Sequence, residues 1–361
     1  MGPRAGSSGK EFPVPEVRRA ERRAVGPGRV NLIGDHTDYN QGLALPMAIG
    51  LGVTVRFTPS TDGRVSVTST ALGPGPELPL DLPAERAAVG RIEPAWARLT
   101  GAMVAVSRPV GGGAVQIDAT LPIGAGLSSS AALAVALAEV FGVGGDPEAV
   151  AALCQRAEHL AGVPVGALDP LICAGGRRGH ALLIDFSTMA TRQTPMPEEA
   201  EVVVVDSGQQ RTLRTSAYAA RRAECEAAAA VIGPLGRADT ADLARLSGPV
   251  LRARARHVVT ECLRVRSCAE ALATGDLAGA GALMTESHQS LSGDFAVSTP
   301  VVDSLAEDLA SRPGVLGARM TGAGFGGCVV ALCRPGAVDP ASLPTPAWRV
   351  RPADGTVARR G

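Results

Sequence analysis

Apolar residues in this chain recur with two periods, and their alternation predicts a mixture of strands and helices. Alternation around Val53, Val55 and Phe57 in GLALPMAIGLGVTVRFTPS (42–60), with RVNLIG just before it, predicts strands in a hairpin-rich opening. Residues 61–90 are rich in Gly, Pro, Asp and Ser and predict turns and edge strands. EPAWARLTGAMVAVS shows helical spacing from Trp96, and AVQIDATLP (114–122) reads as a strand. That strand runs into a glycine loop, PIGAGLSSS, which is followed at once by the helix pattern AALAVALAEVFG. A second helix, DPEAVAALCQRAEHLAG, has Asp146 and Pro147 at its start and Gly162 past its end.

Beyond it, GHALLIDF (179–186) and EVVVVDSG (201–208) read as strands. The intervening STMATRQTPMPEEA has two prolines, reads as turns, and is the expected domain boundary. A long helix from Ser216, helices across 241–290, the helix VVDSLAEDLASR and two strands, GVLGARM and GCVVALC, around TGAGFGG complete the pattern. The expected organisation is a tail over 1–11, a first domain over 12–195, a second over 196–350 and a tail over 351–361. There is no internal repeat.

Charge narrows the function classes. The 35 basic and 35 acidic residues cancel without a Lys/Arg block, so neither nucleic acid nor an anionic membrane surface is expected as a partner. No apolar run reaches the ~18 residues of a membrane span, and the opening string lacks the apolar stretch of a secretory signal. Seven scattered cysteines without a C-x-x-C pair read as small buried residues in a reducing, cytoplasmic compartment.

Two polar constellations stand out against this background. The first is the glycine loop with Gly124, Ala125, Gly126, Leu127 and the hydroxyls of Ser128, Ser129 and Ser130, set between a strand and a helix N-terminus. Glycines let backbone approach a ligand closely, and free helix amides favour an anion, so phosphate is the natural occupant. It is neither a Walker A loop nor a dinucleotide fingerprint, since G-K-[ST] and G-x-G-x-x-G are both missing. A second glycine loop, GAGFGG (322–327), reads equally well as a tight turn. The other constellation is GRVNLIGDHTDYN, which crowds Arg29, Asp35, His36 and Asp38 into one stretch. Phosphoryl transfer also needs an acid to handle the acceptor hydroxyl. Asp169, in a Gly/Pro-bounded turn between Leu168 and Pro170, and Glu158, on the preceding helix, are the candidates.

Together GRVNLIGDHTDYNQGLALPMA, LPIGAGLSSSAA and RMTGAGFGGCVVAL resemble the three ordered motifs of the GHMP kinases, and within them the galactokinases, over about residues 20–335. The resemblance implies an N-terminal mixed α/β domain, a C-terminal ferredoxin-like α+β domain and an active site in the cleft between them. It implies ATP-dependent phosphorylation of the anomeric hydroxyl of galactose by a monomer that uses ATP and Mg²⁺. A kinase for arabinose, galacturonate or N-acetylgalactosamine, and a sugar sensor with little turnover, are the alternatives. By the same resemblance Arg29 and Asp169 carry the chemistry. Asp35, His36 and Asp38 bind sugar hydroxyls, with Gly166 and Tyr218 closing the pocket. Gly124 to Ser130 cradle the phosphates, Ser129 and Glu158 hold Mg²⁺, Trp96 lies near the adenine, and Gly322 to Gly327 support the cleft. Asp35 stands where these kinases usually carry Glu, and Leu168-Asp169-Pro170 where Met-Asp-Gln is usual.

Overall fold

A computed structural model describes residues 20–357 except 123, 164, 165 and 210–213; the tail expected over 1–11 lies outside the described residues. The β-branched and apolar alternation seen in the sequence forms β1 (Arg22–Asn31), β2 (Leu43–Ala44), β3 (Pro46–Pro59), β4 (Arg64–Ser69) and β5 (Gly73–Pro79). Then come α1 (Arg86–Val89), α2 (Arg98–Ser107), β6 (Gly113–Ala119), α3 (Ser129–Val140), α4 (Pro147–Leu160) and α5 (Leu168–Gly175). The five long strands form one sheet in the order β1-β3-β6-β4-β5. On it lies α3, so close that a Cβ at Gly26 of β1 would sit 1.8 Å from the Ala132 carbonyl oxygen. Only glycine permits that approach, and it brings the start of α3 next to the end of β1. The expected α4 signals operate as drawn: Asp146 accepts from the Ala149 amide, Pro147 opens the helix, and Gly162 follows with φ +87°.

The chain continues through β7 (His180–Asp185), β8 (Ala190–Pro195), β9 (Glu201–Asp206), α6 (Arg214–Ile232), α7 (Pro249–Thr274), α8 (Leu277–Gly293) and α9 (Pro300–Ser311). It ends with β10 (Val315–Thr321), β11 (Cys328–Cys333) and β12 (Ala347–Val350). An antiparallel sheet in the order β10-β11-β9-β12 pairs with these later helices, and a small sheet, β2-β7-β8, lies beside the first. The mixed α+β class expected from the sequence is the class observed.

Three readings differ. The segment after β7, read as turns, contains β8, because Thr191 and Thr194 fit a pleated pairing with β7 and both prolines fall at or after its end. Asp169, read in a turn, lies in the first turn of α5; Pro170 is tolerated there because the first amides of a helix have no partner to lose. The expected tail after 350 instead returns to the first sheet. The Ala353 amide donates to Ala48, Gly355 to Gly176 and Thr356 to Cys173, over 2.7–3.0 Å.

Candidate active site

The end of β1 and the start of α5 meet through Arg29 and Asp169, 140 residues apart in sequence. Arg29 Nε donates to Asp169 Oδ1 at 2.7 Å and Nη2 to Oδ2 at 2.9 Å, a two-point fork, while Nη1 donates to the Gly126 carbonyl at 2.8 Å. Burial alone would lower the pKa of Arg29, but the charge and hydrogen bonds of Asp169 hold it above its ordinary value. The Arg29 amide also donates to the Leu127 carbonyl at 3.1 Å, so the glycine loop is bound directly to the pair.

Within that loop Gly124 is exposed, Ala125 and Leu127 point into the core, and Gly124 and Gly126 both have positive φ. Ser128 gives its hydroxyl to Asp169 Oδ2 at 2.5 Å. Ser129 opens α3 exposed to solvent, whereas Ser130, about 100° further round the helix, faces Glu158 of α4. Of these two serines, it is Ser130 that contacts Glu158, while Ser129, the one expected near a cation, faces solvent. Glu158 is fully buried, and neither carboxylate oxygen has a hydrogen-bond partner of normal geometry among the described residues. Burial pushes its pKa up to about 7, the Ser130 hydroxyl pulls it back, and the charge of Asp169 raises it further. An orphaned carboxylate beside a hydroxyl and a helix N-terminus suits a divalent cation.

The polar string after β1 is a turn clamped from three elements. Arg319 of β10, fully buried, donates to the carbonyls of Asn31 and Leu32 at 3.2 and 3.1 Å and to Asp35 Oδ2 at 2.5 Å. Asp35 Oδ1 accepts the Gly322 amide at 3.0 Å, which ties the second glycine loop to the same carboxylate. From α7, Glu261 accepts the Gly34 amide at 2.9 Å, and His257 Nε2 lies 3.2 Å from the Asp35 carbonyl oxygen. Burial favours the neutral form of His257, whereas the charges of Arg264 and Arg319 and the hydroxyl of Ser287 overcome burial at Glu261 and hold it ionised.

His36 sits in this turn with φ +63°, its Nδ1 2.9 Å from the Tyr39 hydroxyl. Burial first, then the neighbouring His257 and Arg319, lower its pKa to about 3, so the ring is a neutral imidazole at physiological pH. Its ring lies 4.6 Å from Phe295 and 5.8 Å from Tyr218 of α6, centroid to centroid. The chain has only two tyrosines, Tyr39 and Tyr218, and their rings are 5.8 Å apart here. Asp38 faces Gly166: a Cβ at that glycine would fall 1.9 Å from Asp38 Oδ2. Burial, and the charges of Asp169 and Asp35, push the pKa of Asp38 up to about 6 despite a hydrogen bond from the Tyr39 backbone.

Thus Arg29, Asp169, the serine loop, Asp35, His36, Asp38, Gly166 and Tyr218 converge through their own or shared contacts. Trp96 lies over Gly75 of β5, half-buried, in a short 3-10 turn ahead of α2. Arg319, Glu261, His257 and Phe295 are additions that sequence reasoning missed. The available signal was Arg319 itself, a charge inside the otherwise apolar strand VLGARMT.

Comparison with known proteins bears on the same segments. Family models match for the galactokinase galactose-binding signature over residues 16–59, the GHMP kinase N-terminal domain over 96–177 and the GHMP kinase C-terminal region over 268–342. The chain is 40% identical to the galactokinase of Homo sapiens over 341 residues, covering 88% of this chain and 87% of that protein. It is 41% identical to the galactokinase of Mycobacterium bovis over 349 residues, covering 92% and 91%. The structure of Lactococcus lactis galactokinase complexed with galactose superposes with a TM-score of 0.84 at 29% identity, covering 94% of this chain and 96% of that one. Methanococcus jannaschii mevalonate kinase, at 19% identity and a TM-score of 0.64, covering 94% and 100%, shares the fold. With its signature turn, phosphate loop and C-terminal motif on one site, the chain belongs to the galactokinase family of the GHMP kinases.

Proposed function

We propose that this protein transfers the γ-phosphoryl group of ATP to the anomeric hydroxyl of D-galactose, giving α-D-galactose 1-phosphate and ADP. The observation that carries the reading is the Arg29–Asp169 fork, bonded to the phosphate loop and close enough to the Asp35–His36–Asp38 turn for Asp169 to act electrostatically on Asp38 and Asp35 on Arg29. A sugar presents several hydroxyls of both donor and acceptor character. Two carboxylates and a neutral imidazole on a clamped turn match such a pattern.

In this mechanism Asp169 accepts the hydrogen bond of the O1 hydroxyl and takes its proton as the new O1–phosphorus bond forms and the bond from phosphorus to the ADP oxygen breaks. Arg29 orients Asp169 through its two-point fork and places positive charge beside the transferring group. The amides of Gly124 to Ser130 and the start of α3 receive the ATP phosphates. Glu158 and a serine at the start of α3, Ser129 by the resemblance or Ser130 by its contact with Glu158, would hold Mg²⁺, which would neutralise phosphate charge. His36, Asp35 and Asp38 orient the sugar, with Gly166 and Tyr218 bounding it, and Trp96 lies on the adenine side.

All seven cysteines are free and buried, which supports a reducing, cytoplasmic location, and no helix among the described residues is long and apolar enough to cross a membrane. The chain is taken to act as a monomer, which light scattering tests directly. The functional test is ADP release with Mg-ATP against galactose, glucose, arabinose, galacturonate and N-acetylgalactosamine. Preferred turnover of galactose is the expected result. Preference for another sugar relocates the specificity, and sugar binding without turnover means a sensor.

A further inference from the structure

We propose that Ser128 is a positioning residue for the acid: by occupying Asp169 Oδ2 it reserves Oδ1 for the acceptor hydroxyl. The inference rests on the kinase reading above and assigns Ser128 a task other than holding phosphate.

Three independent features single out this serine. Its backbone is left-handed, φ +63° and ψ +46°, a conformation glycine adopts freely and other residues rarely. The loop already uses glycine at 124 and 126, so a side chain at 128 is retained against a conformational cost. Ser128 also occupies the N-cap position of α3, where a serine ordinarily accepts an amide of the first turn, yet it makes no capping bond. Its hydroxyl is directed to Asp169 Oδ2 instead, at 2.5 Å, while the residue itself is buried.

Counting acceptor sites shows the consequence. An ionised carboxylate offers about four lone-pair directions, two on each oxygen. Among the described residues, Oδ2 takes Arg29 Nη2 and Ser128 Oγ, and Oδ1 takes only Arg29 Nε. The one direction left belongs to Oδ1. Without Ser128, a sugar hydroxyl could bond either oxygen, and the acceptor would no longer be confined to one pose. Because Gly126 and Leu127 bind Arg29 through their carbonyls, the loop and the acid then move as one body.

The test is Ser128→Gly, which removes the hydroxyl and accepts the left-handed backbone without strain. Steady-state kinetics with galactose and Mg-ATP are expected to show kcat reduced about tenfold to a hundredfold, up to the scale of a misplaced reacting group, with the KM for ATP within about twofold of wild type. Ligand-free crystal structures of wild type and variant are expected to show the Asp169 carboxylate rotated in the variant, with Oδ2 turned to the cleft. A raised KM for ATP at unchanged kcat would make Ser128 a nucleotide contact, and an unmoved carboxylate with unchanged kcat would remove its role; either overturns the inference. Should wild type fail to phosphorylate galactose, the functional reading falls, and the crystallographic comparison still decides whether Ser128 sets the carboxylate.

Discussion

Arg319 Nη2 lies 2.5 Å from Asp35 Oδ2, and this ion pair, 284 residues apart in sequence, joins the sugar-signature turn to the strand of the third motif in a region closed to solvent. The same guanidinium also binds two carbonyls of the chain leading into that turn. Lysine keeps the charge but cannot make the fork, and methionine leaves Asp35 without its cation while Glu261 keeps only Arg264. Arg319→Met is therefore expected to cost about 3–5 kcal/mol of stability, the scale for breaking a buried pair. Arg319→Lys should fold, with a raised KM for galactose. Chemical denaturation and galactose kinetics on both variants check this, and an unchanged KM in Arg319→Lys would show that the clamp does not reach the sugar.

The acid and its arginine should separate cleanly in kinetics. Asp169→Asn keeps the shape but removes the proton acceptor and the charge opposite Arg29. A fall of roughly 10²–10⁴-fold in kcat is expected, with ATP binding retained. Arg29→Lys loses the two-point geometry and the bond to the Gly126 carbonyl, so it should also lower kcat and loosen the phosphate loop. Nucleotide binding by calorimetry beside turnover distinguishes the two effects.

How much of this was readable beforehand depended on distance along the chain. Arg29, the serine loop and Asp169 lie in short strings whose residue types announce their chemistry, and glycine, proline and helix-cap signals located most elements. What escaped was decided by partners far away. Pro170 reads as a breaker unless one knows that a helix begins two residues earlier, where its missing amide costs nothing. Arg319 reads as a stray charge until Asp35 is brought to it. Ser128 reads as a phosphate contact or a cap because nothing nearby in sequence reveals that Asp169 takes its hydroxyl. The return of residues 353–356 to the first sheet depends on backbone pairing with residues 48, 173 and 176 and leaves no pattern in the side chains.

If Asp38 binds the sugar as proposed, its carboxylate is expected to make sugar binding pH-dependent. Its pKa is raised to about 6 by burial and by the charges of Asp169 and Asp35, so it is ionised at pH 7 and gains a proton as pH falls through 6. A protonated Asp38 has lost an acceptor and gained a donor. The KM for galactose is expected to rise by up to about tenfold per pH unit below 6, and to level off above it. His36, with a pKa of about 3, contributes nothing to that limb. The pH profile of KM in Asp38→Asn should be flat over the same range, and the imidazole carbon resonances of His36 should not shift between pH 5 and 9.

Gly166 is required by space. A methyl group there would fall 1.9 Å from Asp38 Oδ2, well inside contact distance, so Gly166→Ala must displace either the carboxylate or the backbone that leads to Asp169. The expected outcome is a rise in the KM for galactose of about tenfold or more, because a displaced carboxylate leaves a sugar hydroxyl unpaired. Adding Asp38→Ala to Gly166→Ala removes the clash; if the two losses then sum as independent effects, the contact between these residues is not what constrains position 166.

In Glu158 a cost to stability is set against the proposed role in holding Mg²⁺. Its pKa is raised from 4.5 to about 7, so between those values the unfolded chain releases this proton while the folded chain keeps it, and stability falls as pH rises across the window. Above pH 7 the loss is complete, on the order of 3 kcal/mol for a shift of this size. Glu158→Gln removes the charge and should raise the melting temperature of the metal-free protein at pH 8, by several degrees, while leaving it nearly unchanged at pH 4.5. The same variant should require much higher Mg²⁺ for turnover, since an amide oxygen is a poorer ligand than a carboxylate. Thermal melts at the two pH values, with and without Mg-ATP, measure both effects. A variant with wild-type Mg²⁺ dependence would place the metal elsewhere, and one no more stable at pH 8 would mean that the buried carboxylate is satisfied without it.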